Sequence, residues 1–228
     1  MPFSRDFITK KHEIGRAPRP ISCDCTRSPW VRVYRGSRKA SLQVQLRRFA
    51  FRLAMARPER VAAIVSQNGN AYEEGLGDAW APIERYWREP SSENRETLRR
   101  ALSPEGLRSQ YTDGVPDPDT IAPEGYTLDA AMIARPGNMD IQLDLFLDYA
   151  NNVKLYPAFQ EYFRKSKPPL LAIWGKHDPF FIPPGAEAYR RDNPNATVQF
   201  LNTGHFALET HVEEIALAMR QLLSKTVG

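Results

Sequence analysis

The sequence predicts an α/β fold in which a mostly parallel sheet is flanked by helices. Apolar runs at residues 61–65, 170–174 and 197–201 have the composition of strands, and strands buried on both faces of a parallel sheet are continuously apolar. Helical patterns separate these runs, and strands that alternate with helices are typical of parallel sheets. We therefore predict the sheet and its helices over residues 51–69 and 166–228.

A long helical insertion is predicted between the first two of these strands. Residues 70–165 show no strand pattern, whereas helical patterns and helix start signals recur along them. Trp80 and Trp87 lie on one face of a predicted helix. Ser103 and Pro104 provide the N-cap and the first-turn proline of another helix. The segment is predicted to form a helical subdomain inserted into the sheet.

Length and composition limit the class of protein. At 228 residues the chain can form one domain, or one domain with an inserted subdomain. No apolar run approaches the length of about 18 residues that a membrane span needs, and the first residues lack the apolar segment of a signal peptide. The two cysteines, Cys23 and Cys25, are too close in sequence to link distant segments. We expect a cytoplasmic protein without metal, cofactor or membrane span.

Charge is distributed unevenly along the chain. Residues 1–50 contain 12 Lys or Arg and three acidic residues, whereas the rest of the chain contains 19 and 24. One interpretation is a basic arm that binds acidic partners. The other interpretation is that this segment does not belong to the same fold as the remaining chain, for example because it is translated out of frame. Nucleic acid is not the expected partner.

Two titratable side chains follow the ends of the last two predicted strands. Asp178 follows the strand at 170–174, and His205 follows the strand at 197–201. In doubly wound sheets functional groups gather at the carboxyl ends of the strands. A carboxylate there can accept a hydrogen bond from the imidazole, fix its tautomer and stabilise the imidazolium. Asp178 and His205 are therefore predicted to form an acid–base pair.

Two other histidines compete with His205. His177 directly precedes Asp178 in the sequence and is predicted to point outward. His211 lies in the first turn of the last predicted helix, where a solvated histidine is expected. His205 is therefore the predicted base.

The segments around these residues resemble the α/β-hydrolase family. Residues 174–181 (Trp-Gly-Lys-His-Asp-Pro-Phe-Phe) and 203–209 (Thr-Gly-His-Phe-Ala-Leu-Glu) are similar to the segments that carry its acid and its base. The similarity is closest to the branch that includes haloalkane dehalogenases and epoxide hydrolases. Residues 51–61 resemble the helix after the family's nucleophile and the start of the next strand. The resemblance covers residues 51–228, and the first 50 residues do not match.

The resemblance implies a hydrolase that acts on a small, largely apolar substrate without cofactor or metal. Asp178 and His205 would be its acid and base, and residues 70–165 its helical cap. In this family the acid can also follow the strand before the cap, but residues 66–69 contain no carboxylate. The cleaved bond could be an ester, an epoxide or a carbon–halogen bond. Five aromatic residues would line or support the pocket, unless they only pack the helices: Trp80, Trp87, Phe146, Tyr149 and Phe159.

The family's nucleophile is missing from its expected place. It lies on a sharp strand-to-helix turn, in G-x-S-x-G or an Asp-containing equivalent, just before the helix at Phe51. Residues 43–50 contain no Ser, Cys, Asp or Gly, and G-x-S-x-G occurs nowhere in the chain. Cys23, Cys25 and Ser41 lie outside such a turn. The nucleophile therefore stays unassigned.

An out-of-frame origin would explain this gap. In one possible coding sequence for residues 45–48, a shift of one base reads Ser-Tyr-Gly-Ala, which resembles the missing turn. The strands that precede the turn are accordingly expected to be missing or disordered, which would expose the edge of an apolar strand. We expect poor solubility or self-association through that edge.

Overall fold

Four parallel strands form one sheet in the order β1–β2–β3–β4. The computed structural model describes residues 40–43 and 47–227, and the side chains between residues 50 and 226. The strands span Ala40–Gln43 (β1), Val61–Gln67 (β2), Leu170–Gly175 (β3) and Ala196–Leu201 (β4). The predicted parallel sheet and its three predicted strands are confirmed.

β1 differs from the expectation, because no strand is predicted within residues 1–50. It pairs in parallel with β2 from Ser41↔Ala63 to Gln43↔Val65. Residues 1–39 and 44–46 lie outside the described residues, and so does the expectation that strands there are missing or disordered. The described sheet therefore begins one strand earlier than the sequence predicts.

Helices flank the sheet and fill the long segment between β2 and β3. Apart from an isolated bridge between Leu76 and Phe181, the described residues between these two strands form no further strand pairing. None of the helices in the described part of the chain is long and apolar enough to cross a membrane. The α-helices of that part are Arg47–Ala56 (α1), Ala81–Arg88 (α2), Ser92–Ala101 (α3), Pro104–Thr112 (α4), Pro123–Ile133 (α5), Asn138–Val153 (α6), Tyr156–Ser166 (α7), Pro183–Glu187 (α8), Tyr189–Asp192 (α9) and Leu208–Val227 (α10).

Side chains of the strands alternate between two layers of helices. Ile64 and Leu170 belong to a large apolar cluster with residues of α1 and α7 on one face of the sheet. Val65 and Leu171 belong to a smaller cluster that α10 covers on the other face. This alternation follows from the two-residue period of a strand. β2 and β3 are therefore buried from both sides, as predicted, whereas β4 at the edge of the described sheet is mostly half-buried.

Helix α7 packs as part of the sheet's helical layer. The ring of Phe51 on α1 lies with its centroid 5.2 Å from that of Phe159 and 5.3 Å from that of Phe163. Both residues of α7 are fully buried. The part of the helical insertion that lies away from this layer is therefore α2–α6.

Candidate active site

The loops after β3 and β4 bring Asp178 and His205 together. The imidazole Nδ1 of His205 lies 2.7 Å from Oδ2 of Asp178. The loops touch through backbone atoms, since a Cβ on Gly175 would lie 1.8 Å from the carbonyl oxygen of Gly204. Only glycine permits this approach, and it sets how closely the two strand ends can meet.

Asp178 is buried and accepts hydrogen bonds on both carboxylate oxygens. The backbone N–H groups of Phe180 and Phe181 donate to Oδ1 over 2.8 Å and 3.1 Å. Burial by itself raises the pKa of this carboxyl, but the bond to His205, the charge of His205 and the bonds from Asn68 and the Phe181 N–H outweigh it, so the pKa lies below 3.8. Asp178 is therefore ionised at neutral pH and can hold a protonated imidazole.

Two amide side chains at the end of β2 complete this hydrogen-bond network. Asn68 donates from Nδ2 to Oδ2 of Asp178 over 2.5 Å, and its Oδ1 accepts from the N–H of Gly175 over 2.9 Å. Gln67 donates from Nε2 to Oδ1 of Asn68 over 2.6 Å and to the carbonyl oxygen of His205 over 3.0 Å. Sequence reasoning missed both residues as members of the site. The available signal was a polar run directly after a buried strand.

His205 lies between aromatic rings and lines a cavity. The centroid of its ring is 5.4 Å from that of Phe180, 5.7 Å from that of Phe181 and 4.8 Å from that of Phe206. Its side chain is 14% exposed. An imidazole that donates Nδ1–H to a carboxylate carries its lone pair on Nε2, which can take up a proton. His205 is thus suited to act as a general base at the cavity.

The cavity is small and mostly apolar. Its volume is about 290 Å³. No Asp, Glu, Lys or Arg of the described residues lines it, and the polar side chains in its wall besides His205 are Thr97, Ser109 and Gln110. Its main apolar contacts are Trp80, Ile83, Leu98, Leu102, Phe146 and Phe180. Such a cavity suits a small, uncharged and largely apolar molecule.

The five predicted pocket residues divide into three groups. Trp80 and Phe146 line the cavity. Tyr149 and Trp87 lie behind Trp80, with ring centroids 4.7 Å and 5.6 Å from it, and Nε1 of Trp87 donates to the carbonyl oxygen of Phe146 over 2.7 Å. Phe159 does not line the cavity, because α7 turns it onto α1. The structure therefore brings four of the five residues to the cavity wall or its support.

The competing histidines lie elsewhere. His177 is exposed, as predicted, and its Nε2 lies 2.8 Å from Oδ1 of Asn202. His211 lies at a bend in α10, where its φ of −131° and ψ of 36° are not helical. It is half-buried rather than fully solvated, and its Nδ1 lies 2.7 Å from the hydroxyl of Thr210. Neither histidine contributes to the cavity wall.

The place expected for the nucleophile lies between β1 and α1. β1 ends at Gln43 and α1 begins at Arg47, with Val44, Gln45 and Leu46 between them in the sequence. These three residues lie outside the described part, as do Cys23 and Cys25, and Ser41 lies within β1. Among residues 40–43 and 47–227 no group of three or more His, Cys, Asp or Glu could hold a metal ion.

Comparison with known sequences gives two matches. A family described as the alpha/beta hydrolase fold matches residues 125–212. A protein of Saccharomyces cerevisiae named "uncharacterized hydrolase YNR064C" is 51% identical over 170 residues, which cover 73% of this chain and 59% of the yeast protein. The chain therefore spans little more than half the length of this relative.

Solved structures are similar in fold. Epoxide hydrolase CorEH superposes with a TM-score of 0.64 at 14% identity, covering 83% of this chain and 69% of that one. Haloalkane dehalogenase DbeA from Bradyrhizobium elkani gives a TM-score of 0.63 at 19% identity, covering 83% and 68%. The 2-hydroxy-6-oxo-6-phenylhexa-2,4-dienoate hydrolase of Rhodococcus gives 0.61 at 12% identity, covering 82% and 64%. With the sequence matches and the parallel sheet, these similarities show that the chain has the α/β-hydrolase fold.

Proposed function

We propose that this chain belongs to a hydrolase that cleaves a small, largely apolar substrate through a nucleophile, His205 and Asp178. The observation that carries the proposal is the 2.7 Å contact between His205 Nδ1 and Asp178 Oδ2 beside an apolar cavity. In the role proposed here, Asp178 stabilises the imidazolium and His205 moves the proton. The hydrolase name of the yeast relative supports the same reaction class.

The reaction has two steps. First, the nucleophile forms a bond to a carbon of the substrate, and the bond to the leaving group breaks with its electron pair on the leaving group. Second, His205 accepts a proton from water while the oxygen of that water attacks the covalent intermediate. The bond between nucleophile and product then breaks, and the proton on His205 passes to the group that departs with the electron pair, which restores the neutral imidazole. The low pKa of Asp178 keeps a negative charge beside the imidazole while it carries the proton. These two steps apply equally to esters, epoxides and carbon–halogen bonds.

Helices α2–α6 would act as the cap over this site. They supply most of the cavity wall, including Ile83 of α2, Leu98 of α3 and Phe146 of α6. The loop after β3 supplies Phe180, and the loop after β4 supplies His205. A substrate in the cavity would therefore lie between the inserted helices and the sheet, which supports the cap boundaries near residues 70 and 155 rather than 165.

The nucleophile is the open part of the mechanism. Val44, Gln45 and Leu46, which lie between β1 and α1 in the sequence, carry no hydroxyl, thiol or carboxylate. The residue after the nucleophile normally supplies an oxyanion-stabilising N–H from the same turn, and loss of such elements typically costs on the order of 10² to 10⁶ in rate. We therefore expect the chain with this sequence to hydrolyse activated esters, epoxides and haloalkanes barely above background.

A direct assay tests this expectation. Release of nitrophenol, diol and halide is measured with the purified chain and with its His205→Ala variant. Equal, near-background rates are expected from both. Sequencing the coding DNA of residues 1–50 and translating its other two frames tests the out-of-frame explanation, because that explanation requires family-like strands and a nucleophile turn in one of them.

A second candidate function is binding to an acidic partner through the basic N-terminal segment. The observation that favours it is the excess of 12 Lys or Arg over three acidic residues in residues 1–50. Retention on a polyanion column that falls with salt and vanishes on deletion of residues 1–39 would support it. Elution at the same salt concentration with and without those residues would exclude it.

Self-association is a further expectation for the same preparation. β1 and β4 are the outer strands of the described sheet, and an unpaired strand edge can pair with a second chain. Light scattering over a range of protein concentrations is expected to show a mass above 26.0 kDa that rises with concentration. A constant monomeric mass would contradict this expectation.

A further inference from the structure

We propose that Asn68 and Gln67 form an amide clamp at the end of β2 that positions Asp178 and His205 relative to each other. The inference deepens the proposed function, since it assigns positioning residues to the same acid–base pair. The clamp runs from Oδ2 of Asp178 through the two amide side chains to the carbonyl oxygen of His205. Neither amide lines the cavity, so their effect on chemistry would pass through the acid and the base.

The backbone at Asn68 is held in a conformation that few residues adopt. Its φ is +45°, in the left-handed region where Asn is enriched among non-glycine residues. The side chain is fully buried. This conformation turns the chain at the end of β2 and directs the amide toward the loop after β3. Asn68 can thus adopt the left-handed backbone conformation and also bond Asp178 through its side chain.

The amide of Asn68 uses its donor and its acceptor at the same time. Nδ2 donates to Asp178, while Oδ1 accepts from the N–H of Gly175 and from Nε2 of Gln67. An Asp at this position would place a second carboxylate against Asp178, and a Leu would leave the Gly175 N–H without its acceptor. The site therefore requires an amide, not only a polar side chain.

The bond from Asn68 orients the carboxylate as well as stabilising it. Oδ1 of Asp178 is held by two backbone N–H groups, and Oδ2 is shared between Asn68 and His205. The Asn68 amide therefore fixes the side of Oδ2 from which the imidazole approaches. Gln67 fixes the position of His205, because its amide donates to the backbone carbonyl oxygen of that residue.

Asn68→Gly tests the clamp, since glycine keeps the left-handed turn and removes the side chain with its donor to Asp178 and its acceptor for the Gly175 N–H. The readouts are the pKa of Asp178 by carboxyl ¹³C NMR titration and the ¹H signal of the His205 Nδ1–H. A lost hydrogen bond to a charged group predicts a rise in the pKa of Asp178 by roughly one unit. The Nδ1–H signal is expected to shift or broaden, because the carboxylate is no longer held on one side.

Asn70→Ala is the matched control. Asn70 is also a fully buried amide, two residues further along, but it bonds the carbonyl oxygen of Tyr72 over 2.7 Å and makes no bond to the pair. Both variants are expected to lose stability, and only Asn68→Gly is expected to move the pKa of Asp178 and the Nδ1–H signal. Equal changes in both variants, or no change in Asn68→Gly, would overturn the proposal.

A second variant keeps the test independent of the folding of Asn68→Gly. Gln67→Met retains the length of the side chain and removes the bonds to Asn68 and to the carbonyl oxygen of His205. It is expected to change the Nδ1–H signal of His205, and an unchanged signal would contradict the clamp. These readouts need no turnover. An unmoved pair would therefore refute the clamp and leave the hydrolase proposal standing. A moved pair would support the clamp even if the protein still shows no turnover once it is supplied with a nucleophile turn, and that second result would refute the hydrolase proposal.

Discussion

The loops that hold the acid–base pair differ from the wall of the cavity beside them. Around Asp178, each carboxylate oxygen accepts two hydrogen bonds, and the two loops approach through Gly175 and Gly204. In the cavity wall, Nε1 of Trp80 is buried without a hydrogen-bond partner among the described residues, and most neighbours are apolar. Directional bonds thus fix Asp178 and His205, while apolar packing provides most of the wall.

The largest loss of stability is expected from a substitution that prevents the close approach of the two loops. In Gly175→Ala the new Cβ would overlap the carbonyl oxygen of Gly204, which is backbone and cannot move aside alone. We expect a loss of about 3 kcal/mol or more in the free energy of unfolding. Gly137→Ala is the control, because a Cβ there meets no atom within 4 Å and the cost is limited to its left-handed backbone, about 1 kcal/mol. Urea denaturation measures both, and equal losses would contradict the argument.

Two buried tryptophans allow the loop after β3 and the cavity wall to be compared directly, because only one of them donates a hydrogen bond to the loop. Trp174 and Trp80 are both buried, but Nε1 of Trp174 donates to the carbonyl oxygen of Phe181 over 2.6 Å, whereas Nε1 of Trp80 has no partner among the described residues. Replacement by Phe removes similar volume at each site. Because Trp174→Phe also removes the hydrogen bond from Nε1 to the carbonyl oxygen of Phe181, it is expected to cost about 1 kcal/mol more than Trp80→Phe. Thermal and urea unfolding of the two variants provide the measurement.

The lowered pKa of Asp178 predicts a change in stability with pH. Its carboxyl titrates below 3.8 in the folded protein, so the unfolded chain binds more protons between the folded value and 3.8. The stabilisation is complete above that range and is lost as the pH falls through it. The free energy of unfolding should therefore fall more steeply below pH 4 in the wild type than in Asp178→Asn. If the free energy of unfolding falls equally with pH in the two proteins, Asp178 is not the source of the pH dependence.

The sequence could predict much of the fold and the meeting of the acid with the base. The strands of the core are continuous apolar runs, and parallel strands deliver the residues after them to one edge. β1 was not predictable in the same way, because Ala-Ser-Leu-Gln is short and half polar. Such a strand is defined by its pairing with β2, which only the folded chain provides.

The clamp residues and the identity of the pocket residues could not be predicted from sequence patterns. The role of Asn68 depends on a positive φ and on the nearness of the loop after β3, and neither leaves a periodic signal. The resemblance offered Phe159 either as a pocket residue or as helix packing, and the sequence could not say which neighbour its ring contacts. It meets α1, whereas Trp80 and Phe146 meet the cavity. Which residues a buried side chain contacts is decided by the tertiary fold and not by the local sequence.

The central claim is that Asp178 and His205 are the acid and base of a hydrolase that needs a nucleophile turn before α1. The most direct measurement joins residues 51–228 to a nucleophile turn of the family type with its preceding strands, and assays ester, epoxide and haloalkane hydrolysis. We predict turnover that the unmodified chain lacks and that His205→Ala and Asp178→Asn each reduce by about 10² or more. Turnover that survives His205→Ala in the joined protein, or robust turnover by the unmodified chain that His205→Ala abolishes, would contradict the account.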